Sequence, residues 1–308
     1  MDIARRHLES AKKPLIAVIG STASGKTAAS VDLALAIRDA RIGSWSDAEI
    51  VNADSRQLYR GMDVGTAKAT QEERRGVTHH LFDVLDPKED MTAAWYQTVA
   101  TKTIDDILER HHVPLLVGGS MLYVSAVIDG LSFAGKSDPA VRERLSKEYD
   151  IDDGLTLHER LHVLDPEAAA NTNRRNKVYL LRAVEIAEQA GIVDDAKEKT
   201  PSPYDVLMIG LRRPRETIVK RIDARTTQML TSGWIDEVRS LLNSGVPADA
   251  PGMTSHGYRE VAAWIQGGEK ASEFPTLEAS IAAQTRQYAK RQITWWKRNP
   301  RIQWIDMQ

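Results

Sequence analysis

Residues 20–27, Gly20-Ser-Thr-Ala-Ser-Gly25-Lys26-Thr27, fit the pattern G-x-x-x-x-G-K-[ST] at every fixed position. The β-prone apolar run Leu15 to Ile19 leads into them, and Ala28 to Ile37, with apolar residues at helical spacing, leads away. A glycine-rich turn between a strand and a helix lets consecutive backbone N–H groups point inward around an anion. The helix N-terminus adds positive potential, Lys26 adds a mobile charge, and the Thr27 hydroxyl can ligate Mg²⁺. Gly20, Ser21, Thr22, Ala23, Ser24, Gly25, Lys26 and Thr27 are therefore expected to cradle a phosphate or diphosphate, with Thr27 at the metal. Such a loop reads phosphoryl oxygens and not the group attached to them, so the activity must be sought elsewhere in the chain.

Two more short apolar runs, Glu49 to Asn52 and Val113 to Val117, are separated by Ala93 to Arg110, whose Ala, Val and Ile positions recur at helical spacing. Asp205 to Gly210 reads as a further strand. Strands alternating with helices predict an α/β fold, a P-loop-type parallel sheet flanked by helices. The tract from about Lys136 to Lys199 is polar and helix-favouring, with runs Val141 to Tyr149 and Val178 to Gln189 and nothing like a buried strand. It reads as an inserted helical subdomain, and Pro201-Ser-Pro203 as the linker back to the sheet. Helix formers return over Arg215 to Gly233 and Leu277 to Lys297, with Pro247, Pro251 and Gly252 marking the loop between. The expected organisation is a core of residues 1–133 and 200–308 and an insertion of residues 134–199, which suits a length of 308.

Absences narrow the chemistry. With no cysteine, disulfides, thiolate catalysis and cysteine-ligated metals are excluded. The 41 basic and 43 acidic side chains leave a formal charge of −2, so an anionic partner must be met by a local patch. The longest apolar runs fall far short of the ~20 residues of a bilayer span, and the acid-containing start MDIARRHLESAKK is unlike a secretory signal. The expected location is the cytoplasm, with no membrane association and a monomeric chain. His79 and His80 would point to opposite faces of a strand and lack partners at ligand spacing, so they are read as structural.

Four further blocks carry a resemblance. Asn52-Ala-Asp54-Ser55-Arg-Gln-Leu-Tyr59-Arg60-Gly61-Met62-Asp63-Val-Gly65-Thr66-Ala67-Lys68 follows the second strand, and Gly118-Gly119-Ser120-Met121-Leu122-Tyr123 follows the third. Gly257-Tyr258-Arg259-Glu260 and Thr285-Arg-Gln-Tyr-Ala-Lys290-Arg291-Gln292-Ile-Thr294-Trp295 extend the match over most of the chain. Together with the phosphate loop they resemble the tRNA dimethylallyltransferases, also called tRNA isopentenyltransferases. The resemblance implies transfer of a five-carbon prenyl group from dimethylallyl diphosphate to the exocyclic amine of the adenosine beside the tRNA anticodon, with the phosphate loop holding the donor's diphosphate.

An exocyclic adenine amine is a poor nucleophile because its lone pair is delocalised, and a carboxylate that takes its proton supplies what the reaction lacks. Asp54 matches the family's catalytic aspartate; composition alone equally allows it to cap a turn with Ser55. Lys26, Mg²⁺ and the backbone donors would stabilise the departing diphosphate. Ser120 stands where the family usually has threonine and retains the hydroxyl, whereas Ser21 replaces a usual proline. Arg221 and Arg225 are expected to bind diphosphate, although an exposed helix face with Glu216 and Asp223 is the plain alternative.

Arg286 to Arg301 holds six basic residues, no acid, and the pair Trp295 and Trp296, a combination suited to phosphates and unpaired bases. Trp295 is open to a core role as well. By the resemblance, Asp54, Ser55, Arg56, Gln57, Ser120, Gly257, Tyr258, Arg259, Lys290, Arg291, Gln292, Thr294 and Trp295 would contact tRNA. So would Arg142, Arg174 and Arg175, where the family's insertion touches the anticodon arm. Met121 and Tyr123 would wall a prenyl pocket or simply pack in the core. Three other functions remain open: a small-molecule kinase spending ATP, an adenylate prenyltransferase acting on a free nucleotide, and an RNA-binding module with no turnover. The basic C-terminal helix speaks for tRNA over a free nucleotide, and Asp54 speaks for catalysis.

Overall fold

The computed structural model describes residues 1–131, 133, 138–190 and 202–308. Helix α1 (Asp2–Ser10) precedes strand β1 (Pro14–Gly20), which is buried along its whole length, as a parallel strand covered on both faces must be. Then follow α2 (Lys26–Ala40), β2 (Asp47–Asn52), the single turn α3 (Gln71–Arg74), the two-residue β3 (His79–His80), α4 (Ala93–Glu109), β4 (His112–Gly118) and α5 (Met121–Ile128). After the insertion come β5 (Asp205–Arg212) and, further on, β6 (Ile302–Asp306). All six strands are parallel, in the order β3-β2-β4-β1-β5-β6.

Alternate residues of β1 feed two apolar layers. Ile16 and Val18 pack with Val31, Ala34 and Ile37 of α2, while Leu15, Ala17 and Ile19 pack with Tyr96 and Ile104 of α4. The chain forms two compact units, Met1–Asp129 with Ser202–Gln308, and Gly130–Pro201. The second unit contains α6 (Pro139–Asp152), α7 (Leu155–Leu164), α8 (Pro166–Asn171) and α9 (Lys177–Ala190), around a core of Leu145, Leu157, Leu161, Leu180 and Val184. Asp138 caps α6 by accepting from Ala140 N–H at 2.8 Å, with Pro139 in the first turn. The expected boundaries at Lys136, Lys199 and residue 134, and the linker's Pro201, lie outside the described residues.

Helix does form over the stretch that begins at Arg215. Arg215 to Gly233 is not one helix: α10 (Arg215–Met229) gives way to a wide turn, Leu230–Trp234, and a new helix, α11 (Ile235–Asn243). Gly233 at φ 109° takes a conformation closed to other residues, which breaks the hydrogen-bond ladder there. After the Pro247 to Gly252 loop, α12 (Tyr258–Gln266) and α13 (Phe274–Trp296) complete the unit, and α13 has Pro275 in its opening turn. Strand β6, which no apolar run announces, is a mostly solvated edge strand tied to β5 by the Arg212–Asp306 ion pair.

His80 and His112 donate to the two oxygens of the buried Glu49 carboxylate at 2.5 Å each, and Arg110 Nη2 donates to both at 2.9 and 3.0 Å. His79 instead hydrogen-bonds its own turn at Val77 and stacks on Phe82. Burial alone would push the Glu49 carboxyl up, but the donors from Arg110, His80 and His112 hold it at about 2, against an ordinary 4.5. A carboxyl held low in the folded state contributes stability that is complete above pH 4.5 and lost as pH falls towards 2. Glu49→Gln is therefore expected to cost about 2 kcal/mol at pH 7, discounted from the cost of breaking a fully buried pair because its partners are part-exposed. Urea melts should show the gap to wild type closing between pH 4.5 and 2; a gap independent of pH refutes it.

Candidate active site

The loops beyond the carboxyl ends of β1, β2 and β4 meet, as ligand-binding loops of a parallel sheet do. Residues 20–27 turn tightly after β1. A Cβ on Gly20, at φ 154°, would lie 2.6 Å from the Leu211 carbonyl of β5 and 2.8 Å from Ser24 Oγ, so the loop can lie against the sheet only with glycine there. Lys26 Nζ donates to the carbonyls of Gly20 (3.0 Å) and Ser21 (2.7 Å). Desolvation lowers it to about 8 despite the attraction of Asp54, and Arg225 adds to the lowering. Thr27 stands exposed at the loop's rim.

Both arginines expected at this loop reach it. Arg221 Nε donates to the Ala23 carbonyl at 2.9 Å and Arg225 Nη2 to Thr22 Oγ1 at 3.2 Å. Arg213, which the sequence reading passed over, donates to the Ser24 carbonyl at 3.1 Å. It lies one residue past the end of β5, and position after a parallel strand is the signal that could have found it. Among the described residues none of these four cations has an ion-pairing carboxylate; their polar atoms are turned to the loop itself.

Asn52, at the end of β2, fixes the neighbouring turn: its Oδ1 accepts from Asp54 N–H at 2.9 Å and its Nδ2 donates to the Asp54 carbonyl at 3.2 Å. Asp54 Oδ1 accepts from Arg56 N–H at 3.0 Å, so the side chain does cap its turn, while Oδ2 has no partner among the described residues. Ser55 N–H donates to Ser120 Oγ at 2.9 Å, joining the β2 and β4 loops. Burial pushes the Tyr288 hydroxyl up to about 12, and the negative charge of Asp54 adds to the rise. Gln57 is turned inward, donating to the carbonyls of Thr66 and Ala67 at 3.0 and 3.1 Å, and Arg56 reaches Thr254 and Pro251. Tyr123 stacks on Tyr96 at 4.2 Å in the core; Met121 packs at the core's edge.

Between the phosphate loop and the Asp54 turn lies a cavity of about 200 Å³. Thr22, Asp54 and Arg225 are among its polar lining, and Met229, Trp234 and Ile281 among its apolar lining. A wider depression of about 900 Å³ lies at the amino ends of the strands, beside Trp45, away from these loops.

Helix α13 presents two faces. Lys290, Arg291, Thr294 and Trp295 are exposed, Trp295 at 49 %, whereas its neighbour Trp296 is buried at 1 %. Arg286 and Arg301 are taken by ion pairs with Asp223 and Asp129. Gln292 is not on the outer face. It is 1 % exposed, accepting from Thr22 N–H at 2.8 Å and donating to the Gly119 carbonyl at 2.9 Å. Tyr258 is likewise fully buried, its hydroxyl donating to Glu237, although Arg259 beside it is exposed. The burial of both side chains comes from helical phase, which puts them on the core side of their helices. Gly257 opens α12 with its N–H on Glu260. In the second unit Arg175 is exposed, Arg174 donates to carbonyls at the end of α6, and Arg142 lies 3.6 Å from Glu185.

A family model described as IPP transferase matches residues 57–299. The chain belongs to this family of tRNA prenyltransferases. It is 42 % identical to a tRNA dimethylallyltransferase of Clavibacter sepedonicus, over 92 % of this chain and 91 % of that one. To that of Geobacter metallireducens it is 40 % identical, over 97 % and 94 %. The tRNA isopentenylpyrophosphate transferase of Bacillus halodurans superposes with a TM-score of 0.68 at 37 % identity, covering 96 % of this chain and 90 % of that one. The family membership, the parallel α/β fold and the prenyltransferase class agree with what the sequence blocks imply.

Removing the Gln292 amide would strand a buried N–H and a buried carbonyl at once. Gln292→Ala is expected to destabilise the enzyme by about 2 kcal/mol, and Lys290→Ala, on the outer face, by less than about 0.5. Equal losses for the two in chemical denaturation would refute the inward placement.

Proposed function

We propose that the enzyme transfers a dimethylallyl group from dimethylallyl diphosphate to the exocyclic amine of the adenosine beside the tRNA anticodon, releasing diphosphate. The observation that carries this reading is one cavity lined by Asp54, by the Thr22–Arg225 contact and by the apolar Met229, Trp234 and Ile281. Its polar lining suits a diphosphate and its apolar lining a short hydrocarbon.

The free Asp54 oxygen accepts the amine proton as nitrogen attacks the first carbon of the prenyl chain. The carbon–oxygen bond breaks and its electron pair leaves with the diphosphate. Lys26, Arg225 and Arg221, with the backbone N–H groups of the loop, take up the charge that develops on that leaving group. The residues fit a divalent cation of the Mg²⁺ type: the exposed Thr27 hydroxyl would help hold it beside the diphosphate. When bound, the cation would supply further neutralisation of the diphosphate.

For tRNA, we read the exposed Lys290, Arg291, Thr294, Trp295 and Arg259 as contacts to the backbone and bases, with Arg142, Arg174 and Arg175 engaging the anticodon arm. Gln292, Tyr258 and Gln57 act from beneath, as supports of the loops that meet substrate. The target base, stacked in a loop, is turned out to reach Asp54. Among the described residues no helix is long and apolar enough to cross a membrane. We read the cytoplasm as the place of work, on the ground of a tRNA substrate.

Incubation with dimethylallyl diphosphate, Mg²⁺ and unmodified tRNA should yield prenylated adenosine by mass analysis of the nucleosides. Asp54→Ala should abolish the product and leave tRNA binding largely intact; phosphoryl transfer from ATP instead would favour a kinase. The lowered Lys26 gives a second expectation. An anion in the loop favours the protonated ammonium, so donor binding takes up a proton once pH exceeds about 8, and affinity falls as pH rises beyond it. Calorimetry in buffers of different ionisation heat measures that uptake, and in Lys26→Arg, which stays protonated, it should vanish.

A further inference from the structure

We infer that Glu237 is a positioning residue that sets the length of prenyl chain the cavity accepts, by holding the turn at residues 63–65 against α11. The inference rests on reading the cavity as the donor's prenyl pocket. Glu237 lies in the first turn of α11, and its carboxylate accepts four hydrogen bonds. Oε2 takes the N–H groups of Asp63 and Val64, both at 2.7 Å; Oε1 takes the Gly65 N–H at 3.1 Å and the Tyr258 hydroxyl at 2.5 Å. Successive backbone N–H groups converging on one anion form a nest, and here the chain fills the nest with its own side chain. Among the described residues no cation pairs with Glu237, so these four donors are what compensates its charge.

The turn it grips is a wall of the cavity. Gly65 and Thr66 both line it, as does Trp234 one turn before Glu237. Gly65 is pressed so closely on its neighbours that a Cβ would lie 2.0 Å from Trp234 Nε1 and 2.6 Å from Tyr258 Cε2. The far end of the turn has a separate anchor: buried Lys68 donates to Asp63, to Asp83 at 2.6 Å and to the Tyr59 carbonyl at 3.0 Å. Asp54 has its own, through Asn52. Loss of the Glu237 charge therefore loosens Val64 and Gly65, while Thr66 keeps its bonds to Gln57 and to the Met62 carbonyl and the base keeps its place. A wall free to give way discriminates less against a longer hydrocarbon.

The test offers the full-length enzyme and tRNA an equimolar mixture of dimethylallyl and geranyl diphosphates and reads the ratio of ten-carbon to five-carbon adenosine products by mass. Glu237→Gln should raise that ratio at least about tenfold, and so should Ile281→Ala, which trims the cavity from α13. A ratio is unaffected by the fraction of enzyme folded, so lost stability alone leaves it unchanged. A wild-type ratio in Glu237→Gln alongside a raised one in Ile281→Ala overturns the role of Glu237; wild-type ratios in both overturn the pocket reading itself. If the Gln variant is recovered unfolded, Glu237→Asp, which shortens the reach by one methylene, must raise the ratio, and a wild-type ratio there overturns the inference.

Discussion

Lys26, Arg213, Arg221 and Arg225 all direct their donors at residues 22–24 or the carbonyls just before them, with no carboxylate in ion-pair contact among the described residues. Taking cations out of water is costly, and desolvation is the leading cause of the lowering of both Lys26 and Arg225. Part of that cost is offset by the loop carbonyls and by attraction to Asp54, and what is left appears as the lowering of both groups. A diphosphate entering the loop meets charge already gathered and partly dehydrated, so little reorganisation is left for the moment when the leaving group becomes more negative. The same desolvation that weakens the empty arrangement strengthens its grip on an anion.

This gathering depends on Gln292. Its amide joins the phosphate loop at Thr22 to the β4 loop at Gly119, and Ser120 next to it joins the Asp54 turn through Ser55. Base, leaving-group cradle and loop hydroxyl are thus fixed by three side-chain hydrogen bonds in series. Gln292 also lies between the exposed Arg291 and Thr294 in sequence, so one helix carries both the anchor of the cradle and the basic, tryptophan-bearing face. A load on that outer face is borne by a rigid element whose other side holds the chemistry.

The strands of the sheet interior were legible because a parallel strand covered on both faces is an unbroken apolar run: Leu15 to Ile19, Val113 to Val117 and Asp205 to Gly210 each lie inside an observed strand. β6 was not, since an edge strand with Gln303 and Asp306 among five residues carries no such run. In the site, the phosphate loop was readable from its own glycines, whereas Gln292 was hidden by its surroundings. Amid Lys290, Arg291 and Thr294 a glutamine looks like surface. Counting helical turns along α13 resolves it: Ile281, Ala289, Gln292 and Trp296 recur at the spacing of one buried face, and Trp295 falls off it. The phase of a mixed helix holds more information than its composition.

Asp54 illustrates why composition left two roles open. Capping and catalysis are not alternatives here, because one carboxylate oxygen is spent on the Arg56 N–H and the other is left free. The cap is what aims the free oxygen: a side chain with one oxygen tied and its backbone held from both sides by Asn52 has few rotamers left to sample. A general base gains from that restriction, since orientation fixed during folding need not be found again when substrate arrives. The turn residue and the catalytic residue are the same residue for a physical reason, and a sequence in which Asn52 stands two places before Asp54 already encodes it.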